Sequence, residues 1–212
     1  MVTSDLVANT EAAVYVGHAF TVHAEESESD YFTVVDDLKD RASGNDAGSA
    51  GIFDMELTSG LFYGYVVVDV PGLISNLEAC RAEDWLEPST DRALAAKVVE
   101  HLCHLIAKVS PGAKLGATAP FGWARLMLIE AGTRQPRSLA NAFRKPVRLR
   151  DGMEDEARGR LADEIGKLDA AYGNGEARRF TSIDEAELPG GDRVPFDGLA
   201  AWAAGAVREG RA

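Results

Sequence analysis

Three clusters of residues in this sequence have types and spacings that could do chemistry. The first is Glu100-His101-Leu102-Cys103-His104, which offers a carboxylate, two imidazoles and a thiol within one and a half helical turns. A metal needs three or four convergent, deprotonated ligands. On a helix, however, Lys97, His101, His104 and Lys108 follow steps of four, three and four residues, so the imidazoles share a stripe with two ammonium groups that repel a cation. No metal site is expected here, and a metal-dependent hydrolase built on Glu100, His101 and His104 ranks last among the functional readings. The second cluster, Asp36-Asp37, is a poor acid-base pair because adjacent residues of an extended segment point to opposite faces. There is no phosphate-cradling glycine loop ending in Lys-Ser/Thr and no nucleophile elbow, so no catalytic residue and no cofactor is expected.

The third cluster is electrostatic. The 212 residues carry 22 Lys+Arg against 34 Asp+Glu, a formal net charge of -12, so the chain as a whole repels phosphate. Yet residues 111–150 hold eight bases (Lys114, Arg125, Arg134, Arg137, Arg144, Lys145, Arg148 and Arg150) against the single acid Glu130. Such an isolated basic block in an acidic protein is the best candidate surface for a nucleic-acid backbone, with a plain solvated face as the competing reading. Residues 25–57 are the opposite, with ten acids and two bases. Within them Tyr31 and Phe32 form an aromatic pair at the head of an acidic excursion, and Ile52 and Phe53 stand between Gly51 and Asp54 with no periodic reason to be buried. Apolar and aromatic side chains of this kind stack on bases without reading sequence. Burial in the core is the rival for both pairs.

The elements that must position these residues follow from periodicity. Ala12 to Ala24 alternates around Val14, Val16, Phe20 and Val22 and predicts a strand. Leu61 to Val70, rich in aromatic and β-branched residues, predicts a second, ended by Pro71-Gly72. Ser89-Thr90-Asp91 predicts the cap of a helix to Val109 with an apolar stripe of Leu94, Val98, Leu102, Leu105 and Val109. Ala124 to Ala131 predicts a strand, Ser138 to Lys145 a helix stopped by Pro146, and two further helices are expected over Glu154 to Tyr172 and Phe196 to Val207. The 35 residues from Glu25 to Ser59 are too long for a plain connection and predict a projecting hairpin or lobe. Two cysteines, Cys80 and Cys103, and no apolar stretch of about 18 residues argue for a reducing cytoplasm and against a membrane span. The order β-(insert)-β-α-β is the last part of a ferredoxin-like, RNA-recognition fold of the α+β class.

Several blocks in order resemble one family. Asp30-Tyr31-Phe32-Thr33-Val34-Val35-Asp36-Asp37-Leu38, Gly48-Ser49-Ala50, Ser59-Gly60-Leu61-Phe62-Tyr63-Gly64-Tyr65, Pro111-Gly112-Ala113-Lys114 and Gln135-Pro136-Arg137-Ser138-Leu139-Ala140-Asn141-Ala142-Phe143 are similar to the CasC family, the repeated backbone subunit of the type I-E CRISPR Cascade complex. The resemblance runs from Met1 to about Asp151 and more loosely beyond.

The resemblance implies an RNA-recognition palm over residues 1–150 with a thumb insertion at about 25–59, and a helical extension over 151–212 packed on the palm. It implies a non-enzymatic subunit that holds CRISPR RNA, with other copies of itself, other Cascade subunits and the target DNA strand as partners, and with no membrane. Residue by residue, Tyr31, Phe32, Thr33 and Val35 match the base of a thumb that packs against guide bases. Ile52 matches the apolar thumb residue beside a flipped base, and Met1 a finger methionine that helps kink the RNA. Arg148 and Arg150 match lysines near the target-DNA path, and with Arg144 and Lys145 they make the expected backbone-contacting surface. Leu115 departs from the usual polar residue after the lysine. The resemblance also implies that the opening palm strand and helix are lacking, which predicts a poor autonomous folder or self-association. The alternative to RNA binding is an interaction remnant that keeps the thumb but has little affinity for RNA.

Overall fold

A computed structural model describes residues 11–24, 27–34, 51–58, 60–110 and 121–211, with the segments 27–34 and 51–58 described by backbone and pairing. The first apolar run folds as two short strands, β1 (Val14–Val16) and β2 (Phe20–Thr21). The excursion that follows contains β3 (Ser27–Val34) and β4 (Gly51–Thr58), paired antiparallel along their whole length. The second apolar run folds as β5 (Phe62–Tyr63) and β6 (Val66–Val68). β1 pairs with β6 and β2 with β5, both antiparallel.

Both runs break at one place for one reason. Gly17 N–H donates to Tyr65 C=O at 2.8 Å, while the next ladder pair is Phe20 with Tyr63. His18 and Ala19 therefore face Gly64 alone, which is a β-bulge that bends the ribbon. Gly17 lies so close to Tyr65 that an added Cβ would stand 3.3 Å from the Tyr65 carbonyl oxygen.

The strand also ends earlier than the sequence suggests. Pro71-Gly72 opens a helix, α1 (Val70–Glu78), instead of closing a strand: Asp69 caps it by accepting from Gly72 N–H at 3.2 Å, and proline is tolerated in a first turn whose N–H groups lack helical partners. The second helix, α2 (Ala93–Lys108), starts after Asp91, whose carboxylate accepts from Ala93 N–H at 2.9 Å.

The expected apolar stripe on α2 is corrected. Leu94, Leu105 and Val109 are exposed, and the buried residues are Ala95, Ala96, Val99, Cys103 and Ala107. The reason is the partner helix. β7 (Leu126–Ala131), α3 (Met153–Tyr172), β8 (Ala177–Ser182), β9 (Gly191–Arg193) and α4 (Phe196–Arg208) complete the fold, and α4 packs on α2 through Ala200, Ala203, Ala204 and Val207. Small residues on both sides let the backbones approach, so the large side chains of α2 turn to the flanks. The helix expected over Ser138 to Lys145 is a single 3-10 turn, Ala140–Phe143, with Pro146 too close for a longer one.

β7, β8 and β9 form the three-stranded sheet, with β7 antiparallel to β8 and β8 parallel to β9. Met127 and Ile129 face the layer of α1, α2 and α4, while Leu126 and Leu128 face the layer of α3. β7 is thus covered on both faces and joins the two sides of residue 150, because its sheet partner β8 lies beyond it. The whole is a mixed α+β arrangement of small sheets and four helices among the described residues.

Candidate nucleic-acid interface

The thumb-like excursion is built as a ladder whose register brings the sequence-predicted residues together. Thr33 pairs with Ile52, Phe32 with Phe53 and Tyr31 with Asp54. Successive strand positions alternate between faces, so positions 31 and 33 share one face with 52 and 54, and position 32 shares the other with 53. Met1 and Val35 lie outside the described residues, as do Asp36-Asp37 and Lys114.

The root of this ladder is held by a residue that sequence reasoning did not single out. His23 is buried, its Nδ1 lies 2.7 Å from Ala24 C=O, and its Nε2 accepts from Leu61 N–H at 3.3 Å. A neutral ring with the proton on Nδ1 satisfies both contacts. Gly60 leaves the room for it: a Cβ there would fall 2.1 Å from His23 Nε2. The ring therefore joins the chain just before β3 to the chain just after β4. A histidine two residues after a threonine gives no sequence signal for such a role, because its partners are backbone groups.

The basic block is divided by its partners. Arg125 bonds Asp184 at 2.7 Å and pairs with Glu154 at 3.1 Å, Arg134 bonds Glu176 at 2.6 Å, and Arg137 pairs with Glu130 at 3.0 Å and Asp169 at 2.7 Å. Arg150 pairs with Glu156 at 3.2 Å. Three of these acids lie on α3 and two, Glu176 and Asp184, just before and just after β8, so a sequence run with a single acid hides neighbours that the fold supplies. Arg144, Lys145 and Arg148 are exposed and have no carboxylate partner among the described residues. They lie on a strap fastened at its middle, where Val147 is buried and its N–H donates to Val22 C=O at 2.8 Å. With Val147 anchored inward, the three cations stand on the outer side.

An exposed aromatic pair was also missed. Phe121 is 81% exposed and Trp123 70%, and the Lys108 ammonium lies 5.8 Å from the Trp123 ring. Phe121-Gly122-Trp123 directly after Pro120 is the sequence signal: aromatics outside any periodic element.

The Glu100 to His104 cluster disperses. Cys103 faces the core, where burial pushes its thiol up to about 11, and His104 packs edge-on against Phe196 at 4.9 Å. Among the described residues no group of three or more His, Cys, Asp or Glu could hold a metal ion. Also among them, no helix is long and apolar enough to cross a membrane.

A family model described as "CT1975-like protein", a Cas family, matches residues 1–198. The chain belongs to this family. Two solved chains share the fold of this CT1975-like protein. One, from a "CRISPR RNA-guided surveillance complex", has a TM-score of 0.76 and 25% identity over 96% of this chain and 75% of that one. The other, from a "CRISPR RNA-guided surveillance complex, pre-nicking", has a TM-score of 0.79 and 25% identity over 98% of this chain and 53% of that one. The CT1975-like chain therefore spans about half the length of the second. Comparison with curated proteins gives no match.

Proposed function

We propose that this protein is a non-enzymatic scaffold subunit of a Cascade-like surveillance complex that holds guide RNA, in the manner of the CasC backbone subunit of type I-E. In this reading β1, β2 and β5–β7 serve as an RNA-recognition palm, residues 151–212 as an extension packed on it, and the β3–β4 ladder as a thumb whose Ile52 wedges beside a base. CRISPR RNA, the target DNA strand, other subunits and further copies of the chain are its partners, in the cytoplasm. The observation that carries the reading is the likeness, over nearly the whole chain, to two chains of RNA-guided surveillance complexes. The exposed Arg144, Lys145 and Arg148 and the pairing of Thr33 with Ile52 support it.

The test is a titration of the full chain with single-stranded RNA at several salt concentrations. The reading expects measurable affinity that falls on a log-log plot with a negative slope of roughly 0.7 per phosphate contact. A second reading, an interaction subunit with little RNA affinity, draws on the ion pairs that already occupy Arg125, Arg134, Arg137 and Arg150. Absence of salt-dependent binding would decide for it.

A further inference from the structure

The strap between the 3-10 turn Ala140–Phe143 and the start of α3 at Met153 is an improbable thing to hold still. Residues 144–150 read Arg-Lys-Pro-Val-Arg-Leu-Arg, four cations and no acid, and their single ladder contact is the isolated bridge between Val147 and His23. Like charges on a segment without secondary structure repel one another, so what keeps the strap in one place must come from its neighbours.

One side of the strap is fastened to the chain after β2 and the other to α3. Val147 N–H donates to Val22 C=O at 2.8 Å, and the Val147 side chain is buried with Val22 and with Ala157 of α3. Glu156 precedes Ala157 on that helix, and Arg160 stands four residues after Glu156, about one turn on. The Arg160 guanidinium donates from Nη1 to Lys145 C=O and from Nη2 to Glu156 Oε1 at 2.7 Å. Glu156 Oε2 accepts in turn from Arg150 Nη2 at 3.2 Å. Three side chains thus run as an unbroken series of bonds from the main chain at Lys145 to the side chain of Arg150, closing a ring of which the strap is the other half. The hydrogen bonds from Arg150, and then from Arg160, hold the Glu156 carboxyl below its usual range, so it stays ionised and keeps both partners near neutral pH.

The cations therefore do two kinds of work. Arg160 and Glu156 are half-buried, 29% and 27% exposed, and direct their polar atoms to the protein. Arg144, Lys145 and Arg148 are exposed and have no carboxylate partner among the described residues. Only an arginine suits position 160: its planar fork reaches a carbonyl and a carboxylate at once, whereas an ammonium is a point charge on a flexible stem. Neither Arg160 nor Glu156 belongs to the basic block of residues 111–150, so charge counting along the sequence does not find them.

We propose that Arg160 and Glu156 are positioning residues for a nucleic-acid backbone: they clamp the strap to α3 so that Arg144, Lys145 and Arg148 meet the phosphates as one preset surface, and they touch no phosphate themselves. The proposal rests on the guide-RNA reading above and names residues that make its cationic surface work. With the strap ordered during folding, less conformational freedom is lost on binding, which raises affinity without any added contact.

The test is the titration of the full chain with single-stranded RNA at several salt concentrations, repeated on Arg160→Lys, Glu156→Gln and Glu156→Ala. Arg160→Lys keeps the charge but not the fork. Expected is a fall in affinity of about fivefold and a shallower log-log slope, by roughly the 0.7 of one phosphate contact or more, as the strap frays. An unchanged affinity and slope would overturn the proposal, because a lysine serves equally well where position 160 contributes only charge or touches phosphate directly. Glu156→Gln and Glu156→Ala remove the same charge, so electrostatics alone makes them equal. The clamp expects the alanine variant to bind about threefold more weakly, since glutamine keeps an oxygen for Arg160. Equal affinities would count against it. Hydrogen exchange at the Val147 amide reads the clamp without RNA, and about tenfold faster exchange is expected in Arg160→Lys. Unchanged exchange there would show that the strap is held without Arg160 and overturn the proposal whatever the RNA data. Absence of salt-dependent binding by the unaltered chain would instead overturn the guide-RNA reading, whereas binding by that chain with no loss in Arg160→Lys would overturn the positioning role alone.

Discussion

The contact between His23 and Gly60 is a single-residue device with a structural consequence. Gly60→Ala would put a methyl carbon 2.1 Å from a buried ring nitrogen, and the ring is held in place by Ala24 and Leu61. The ring must then rotate out and leave Leu61 N–H without its partner, a loss of about 1 to 3 kcal/mol. A lower thermal midpoint and faster exchange at Leu61 are expected, and an unchanged midpoint would refute the latch. The three cations of the strap act at the same scale. Arg148→Glu should reduce the salt slope of RNA binding by roughly one contact's worth without altering base preference, whereas Arg137→Glu should act mainly on stability because its guanidinium already bonds Glu130 and Asp169. Equal effects on the slope from the two would deny the division of the block. Charge counting along the sequence found the block but not this division, because most of the acids that occupy half of it arrive from α3 and from the residues flanking β8.

At the scale of elements, what was legible depended on whether a segment's partner leaves a mark in its own residues. α3 and α4 begin within one residue of their expected starts, since both have a clear period and a glycine or proline boundary. β8, Ala-Arg-Arg-Phe-Thr-Ser, did not read as a strand: of its two buried residues, Phe180 and Arg178, the second is tolerated there only because two carboxylates meet it. α1 was hidden for the opposite reason, as Pro71-Gly72 are stop signals unless a cap such as Asp69 turns them into a start. The length of the excursion predicts a projecting hairpin or lobe, and the register of the β3–β4 ladder adds that positions 31 and 32 lie on opposite faces. A nucleic acid lying on one face therefore meets only one of them. Tyr31→Ala and Phe32→Ala made singly should thus differ, one weakening RNA by about 1 to 3 kcal/mol and the other by little. Equal losses measured in the RNA titration would mean that both rings contact the strand and that the ladder does not present a single face.

For the whole molecule, the feature that ties the layers together is ionic. Arg178, with 1% of its side chain exposed, bonds Glu130 of β7 at 2.7 Å and Asp169 of α3 at 2.9 Å, and Arg137 from the loop after β7 bonds the same two acids. Four groups thus join β7, β8, α3 and that loop, on both sides of residue 150. The hydrogen bonds from Arg178, and then those from Arg137, hold the Asp169 carboxyl below its usual range against the opposing effect of burial. A depressed carboxylate contributes stability that is present above its unfolded value and lost as pH falls through the folded one. Asp84, Glu156, Glu176 and Asp184 are lowered in the same direction by arginines. Stability should therefore hold between about pH 7 and 5 and decline below about pH 4, where these groups take up protons. Arg178→Met keeps much of the side chain's bulk but removes its charge, leaving two partly buried carboxylates to share Arg137. Breaking such a cluster from one side costs about 3 kcal/mol at neutral pH, and the cost should shrink as acid neutralises Asp169. Urea midpoints of the two proteins measured from pH 7 to pH 3 should converge on the acid side. Parallel curves, displaced by the same amount at every pH, would show that Arg178 contributes packing rather than charge and that the network does not hold β7 to α3.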